Sequence, residues 1–169
     1  MKRSIILLAV SAVSLLASCC KSDEPVQLNV IPYPESVTKL SNGTFDGVTG
    51  ASIRYNAAFS EKTVESIRQF AERLSSATGE ESTVKKGRFG AMNIRHKASL
   101  AEEEYEISIR RNCINVFASS HKGVLYSLAT LSQMLPVEVY SGVPAPEGTD
   151  WTLPCVSINE ISIDCSVNS

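Results

Sequence analysis

The side chains with chemistry to offer are few, and the first is a thiol. Leu16-Ala17-Ser18-Cys19 closes an apolar run that begins at Ile5 and follows the positive Met1-Lys2-Arg3. The run is too short for a comfortable transmembrane helix and has the layout of an export leader. Small residues ahead of a cysteine suit a signal peptidase, and the cysteine takes a diacylglycerol thioether before cleavage. Cys19 is therefore the expected lipid attachment site and first mature residue, with residues 1–18 as signal peptide and 19–27 as tether. Several acyl chains, each contributing about 0.8 kcal/mol per buried CH₂, would hold it to a membrane. The expected location is the bacterial cell envelope, on the periplasmic or surface face of the outer membrane. A plain secretory signal with a coincidental cysteine is the alternative. Asp23-Glu24, just after the anchor, also resembles a surface-export signal.

The other reactive groups do not assemble into a site. Asp23-Glu24 is the one Asp-Glu dipeptide, and it sits in the tether with nothing to desolvate it. His96 ends an expected strand and His121 starts an expected helix, which suits surface or capping roles; neither lies in an H-E-x-x-H motif. No metal and no cofactor is expected, and no catalytic residue is assigned. Cys20 lies in the tether beside Cys19. Cys113, Cys155 and Cys165 form no C-x-x-C, and none has a His partner in a recognisable motif. An oxidising compartment would allow one disulfide whose pairing the spacing does not select; buried free thiols are the alternative. Lys86-Gly87-Arg88 is a basic turn without the G-K-[ST] of a phosphate loop. Trp151 could stack on a sugar, but a lone Trp before a strand fits a core position better.

Composition narrows the class further. The 169 residues are 43% hydrophobic and 20% charged, which suits one globular domain with a real core. The net charge is −2, and losing Lys2 and Arg3 with the leader takes it to −4. Every charged residue from Glu138 onward is acidic. Nothing in this pattern calls for a nucleic-acid partner.

The elements that hold these residues follow from periodicity. In Glu104–Pro136, Tyr105, Ile107 and Ile109 alternate with polar residues, and Ile114, Val116 and Ala118 do so after an Arg111-Asn112 turn. The turn is expected to use the left-handed backbone that Asn tolerates. Ser119 or Ser120 then caps a helix with Val124, Leu128, Leu131 and Leu135 inside; Leu125 and Ala129 widen the stripe, so the helix reads as mostly buried. Pro136 stops it. Earlier, Ser60 caps a helix to Thr78 that ends at Gly79, with Val64, Ile67, Ala71, Leu74 and Thr78 inside. Its charged side reads as a solvated face, with Arg68 and Glu72 one turn apart. Ala51–Tyr55, Ser82–Lys85 and Ala91–Arg95 read as strands. Val37–Leu40 and Thr44–Asp46 read as a hairpin around Ser41-Asn42-Gly43, and Val137–Tyr140 as an edge strand. The sum is an α+β fold: a mainly antiparallel sheet with two helices packed on one face.

The hairpin ending in Ala118-Ser119, followed by GVLYSLATLSQMLP, resembles the small N-terminal domain of glycoside hydrolase family 20. The I-P-x-P phrase Ile31-Pro32-Tyr33-Pro34 resembles that domain's opening. Trp151–Glu160 resembles the strand that leads from it to the catalytic barrel. The resemblance covers 28–160 and implies kinship with β-N-acetylhexosaminidases, which hydrolyse terminal N-acetylhexosamine. In that family the substrate's acetamide attacks the anomeric carbon, and the barrel supplies an Asp-Glu pair. A barrel needs roughly 250 residues, and only nine follow Glu160. The expectation is a domain cut off before its barrel, inactive alone, with 161–169 as a truncated tail whose Ile161, Ile163 and Val167 are not shaped for solvent. The alternative is a free-standing surface lipoprotein that holds a glycan or a protein partner on the sheet face the helices leave open.

Overall fold

A computed structural model describes residues 26–56 and 58–160. The leader, Cys19, Cys20, Asp23-Glu24, Cys165 and the tail 161–169 lie outside the described residues.

Seven strands form one sheet: β1 (Ser36–Phe45), β2 (Ser52–Tyr55), β3 (Thr83–Lys86), β4 (Met92–His96), β5 (Tyr105–Arg110), β6 (Cys113–Ala118) and β7 (Leu153–Glu160). Helix α1 (Glu61–Thr78) links β2 to β3, and α2 (His121–Met134) follows β6. The spatial order is β1-β7-β5-β6-β4-β2-β3. The α+β class and the two helices agree with the sequence; the sheet is mixed, not purely antiparallel. β2 runs parallel to both β3 and β4, and β4 parallel to β6. The antiparallel pairs are β1–β7, β5–β6 and β5–β7. A helix or long loop between successive strands lets the chain cross over and re-enter in the same direction.

Local signals at α1 hold. Ser60 takes the extended N-cap conformation, its Oγ accepts from the Thr63 amide, and Gly79 closes the helix at φ 75°. The inner stripe is Thr63, Val64, Ile67, Phe70, Ala71, Leu74 and Ala77; Thr78 is only half-buried. Arg68 reaches back to Glu61 at 2.8 Å and Glu65 at 3.4 Å rather than forward to Glu72. At α2, Ser120 is the cap, its Oγ accepting from the Gly123 amide. Gly123 is needed there, because a Cβ would stand 2.5 Å from the Glu104 carbonyl oxygen.

Three expectations change. Ser36–Phe45 is one strand along β7 with an irregularity between Lys39 and Thr44, not a hairpin. Pairing to an eight-residue partner outweighs the turn preference of Ser41-Asn42-Gly43. The Arg111-Asn112 turn closes without a left-handed residue, since no described non-glycine residue has positive φ. Val137–Tyr140 is a single 3₁₀ turn, tied by the Val139 amide to the Pro136 carbonyl at 3.0 Å.

The core lies between sheet and helices. Ile53, Met92, Ile94, Tyr105, Ile107, Ile109, Ile114, Val116 and Ile158 meet Ile67, Phe70, Leu74, Val124, Leu128 and Leu131. The opposite sheet face carries the alternate residues. One register row crosses all seven strands on that face: Lys85, Arg54, Asn93, Asn115, Ser108, Ser157 and Thr38.

Candidate functional site

The outer side of α2 is the first place where the molecule departs from a solvated globule. Leu125 and Ala129, expected inside, point outward; Leu125 is 39% exposed and Tyr126 beside it 44%. The inner stripe is instead completed by Ser127, Thr130 and Ser132. Ser127 and Ser132 donate to the carbonyls of Val124 and Leu128. Thr130 shares a 2.6 Å hydrogen bond with the Tyr105 hydroxyl. Small hydroxyl residues can line a helix–sheet seam because the helix's own carbonyls satisfy them. That frees the larger apolar residues for the outside.

Alongside α2 runs the N-terminal segment. The Ile31 amide donates to Gln133 Oε1 at 2.8 Å, and Gln133 Nε2 donates to the Ile31 carbonyl at 3.1 Å. This two-point amide clamp fixes the backbone while leaving the Ile31 side chain 84% exposed. Between segment and helix is a groove of about 410 Å³, lined by Ile31, Tyr105, Tyr126, Ala129, Gln133 and Glu160 among others. Burial raises the Tyr105 hydroxyl pKa, opposed by its bond to Thr130. The nearby Glu160 carboxylate raises it further, so the phenol stays a neutral hydrogen-bonding group.

The residues singled out in sequence do not converge. His96 makes an edge contact with Phe59, ring centres 5.9 Å apart. His121 sits at the start of α2 with Nδ1 shielded and without a hydrogen-bond partner among the described residues. Desolvation, and then Lys62, lower its pKa. Cys113 is half-buried and Cys155 buried, and both are free thiols. Trp151 packs against the core. Among the described residues no three His, Cys, Asp or Glu side chains are grouped to hold a metal. No described helix is long and apolar enough to cross a membrane.

This arrangement can bind and support. The model of glycosyl hydrolase family 20, domain 2, matches residues 27–160. The chain belongs to that family. Its fold is similar to that of Streptomyces plicatus N-acetyl-beta-hexosaminidase solved with Thio-NAglucal: TM-score 0.69 at 23% identity, covering 79% of this chain and 26% of that one. The GH20 beta-N-acetylhexosaminidase of Streptomyces coelicolor A3(2) gives 0.69 at 24%, over 79% and 26%. That of Bacteroides fragilis NCTC 9343 gives 0.56 at 22%, over 78% and 24%. The family 20 chain therefore spans about a quarter of these structures. A search of curated proteins finds no match.

Proposed function

We propose that the chain is the non-catalytic N-terminal domain of a lipid-anchored β-N-acetylhexosaminidase-like protein. The parent activity is hydrolysis of terminal N-acetylhexosamine from glycans, and these residues are inactive without the barrel that completes it. The family match over 27–160 carries this reading, together with the hexosaminidase relatives of which such a domain is a quarter. The groove beside α2 supports it physically. Its apolar walls favour being covered, and Glu160, the last described residue, stands at its rim. A polypeptide continuing past β7 starts there, so a following domain can pack on α2.

The purified chain should hydrolyse a chromogenic N-acetylglucosaminide no faster than buffer; turnover well above buffer would sink this reading. Translating the DNA past codon 169 in all frames tests the parentage, and a barrel with an adjacent Asp-Glu pair is the expected result. For the anchor at Cys19, cells fed labelled palmitate should label the wild-type chain and not Cys19→Ser. The second reading, a free-standing surface lipoprotein binding glycan or a protein partner, draws on the polar row across the open sheet face. Absence of any barrel in the DNA would favour it.

A further inference from the structure

The face of the sheet opposite the helices is basic, although the chain as a whole is acidic. Arg54, Arg95 and Arg110 project from it, because each alternates with a core residue, Ile53, Ile94 or Ile109. Lys85 lies beside Arg54 in register. The acidic strand residue on this face, Glu106, is taken up by Lys97 at 2.5 Å. None of Arg54, Lys85, Arg95 and Arg110 joins an ion pair among the described residues.

The β3–β4 loop adds two more features at the same edge. The Arg88 carbonyl accepts from Arg95 Nη2 at 3.4 Å, which holds the loop against this face. Phe89, next to it, is 84% exposed. The loop's approach is fixed by glycine: a Cβ on Gly90 would meet the Ser52 carbonyl at 2.4 Å and the Arg54 side chain at 2.8 Å.

Unpaired cations spread over a flat face suit a particular kind of partner. From β3 to β5 there are four strand spacings, about 19 Å. One small anion cannot meet charges so far apart, whereas a layer of phosphate headgroups can. A single exposed aromatic at the rim is too little to stack a nucleic-acid strand, but it suits insertion between headgroups. We infer that this face, with Lys85, Arg88, Arg95 and Phe89 at its β3–β4 edge, docks on an anionic phospholipid surface.

Geometry relates this contact to the anchor without depending on it. Val26, the first described residue, lines a groove with Lys39 and Thr44 of β1, at the opposite edge of the sheet. That edge lies six strand spacings, about 29 Å, from β3. Holding the two edges would lay the sheet along the membrane with α2 and its groove facing away. The hexosaminidase reading can fail while this one stands, since the test below involves neither sugar nor acyl chain.

The experiment is vesicle co-sedimentation of the chain starting at Cys20, which keeps every described residue and lacks the acyl site. Phosphatidylglycerol-rich vesicles should bind it, pure phosphatidylcholine should not, and added salt should release it. Lys85→Gln and Arg88→Gln should each weaken binding about fivefold, and Phe89→Ser should weaken it further. These side chains are exposed, so circular dichroism melts should match wild type. Tyr126→Ser, on the α2 side, should bind like wild type. Equal binding to both lipids, no binding at low salt, full binding by the Lys85→Gln/Arg88→Gln double variant, or loss with Tyr126→Ser would each overturn the proposal.

Discussion

The two helices lie on one side of one sheet, yet their outer faces differ. α1 shows solvent Glu61, Lys62, Glu65, Arg68, Glu72 and Arg73, with Arg68 bridging two of the carboxylates. α2 shows Leu125, Tyr126 and Ala129, with Lys122 at its start bound to Glu102 and Glu103 at 3.4 and 3.2 Å. Both inner stripes are well packed, so burial does not explain the difference. An exposed ion pair contributes little to stability; α1's charges keep its outer face wet. α2's outer face has no such provision and borders the groove at Glu160.

The contrast can be broken by substitution. The largest effect is expected within α2 itself: Leu131→Ala removes a fully buried side chain and should cost about 3 kcal/mol in denaturant unfolding. Leu125→Ala, on the outer face of the same helix, should cost less than about 0.5 kcal/mol. Comparable losses would mean that the outer face is core after all. Gly123→Ala should cost about 2 kcal/mol, because the methyl meets the Glu104 carbonyl. The caps should respond alike, Ser60→Ala and Ser120→Ala each losing about 1 kcal/mol of thermal stability.

The smallest effect is a pH dependence at the start of α2. His121 has its pKa lowered by desolvation and Lys62, so the folded state holds it neutral more firmly than the unfolded chain does. Its contribution is present above the ordinary value of 6.5 and is lost as pH falls below it. Melting temperature should decline on that acid side, and His121→Gln should flatten the decline.

How much of this could be read in the sequence follows how local each signal is. Ser60, Gly79 and the β5–β6 alternation lie within a few residues of what they control and stand as read, and of Ser119 and Ser120 the cap is Ser120. The parallel pairing of β2, β4 and β6 is fixed by crossovers, while period-2 alternation looks the same in either direction. Leu125 and Ala129 fit the α2 period well enough to read as core. What moved them outside was Thr130 and Ser132, polar residues satisfied inside by partners that periodicity cannot see. The basic face was hidden for a similar reason. Arg54, Lys85, Arg95 and Arg110 are scattered in sequence and meet only when the strands are ordered. Cys19, the clearest local motif, lies outside the described residues.

The place of β7 has a consequence for how the domain is made. The last strand of the described residues is second in the sheet, wedged between β1 and β5. Among the described residues β1 has no other strand beside it, so β1 finds its place only after β7 is available. Such long-range closure is slow and needs nearly all of residues 26–160. A fragment that stops short of β7 therefore leaves β1 without its strand partner. Strand order thus makes the fold a single closure: shortening the domain from its C-terminal side should release its N-terminal strand as well.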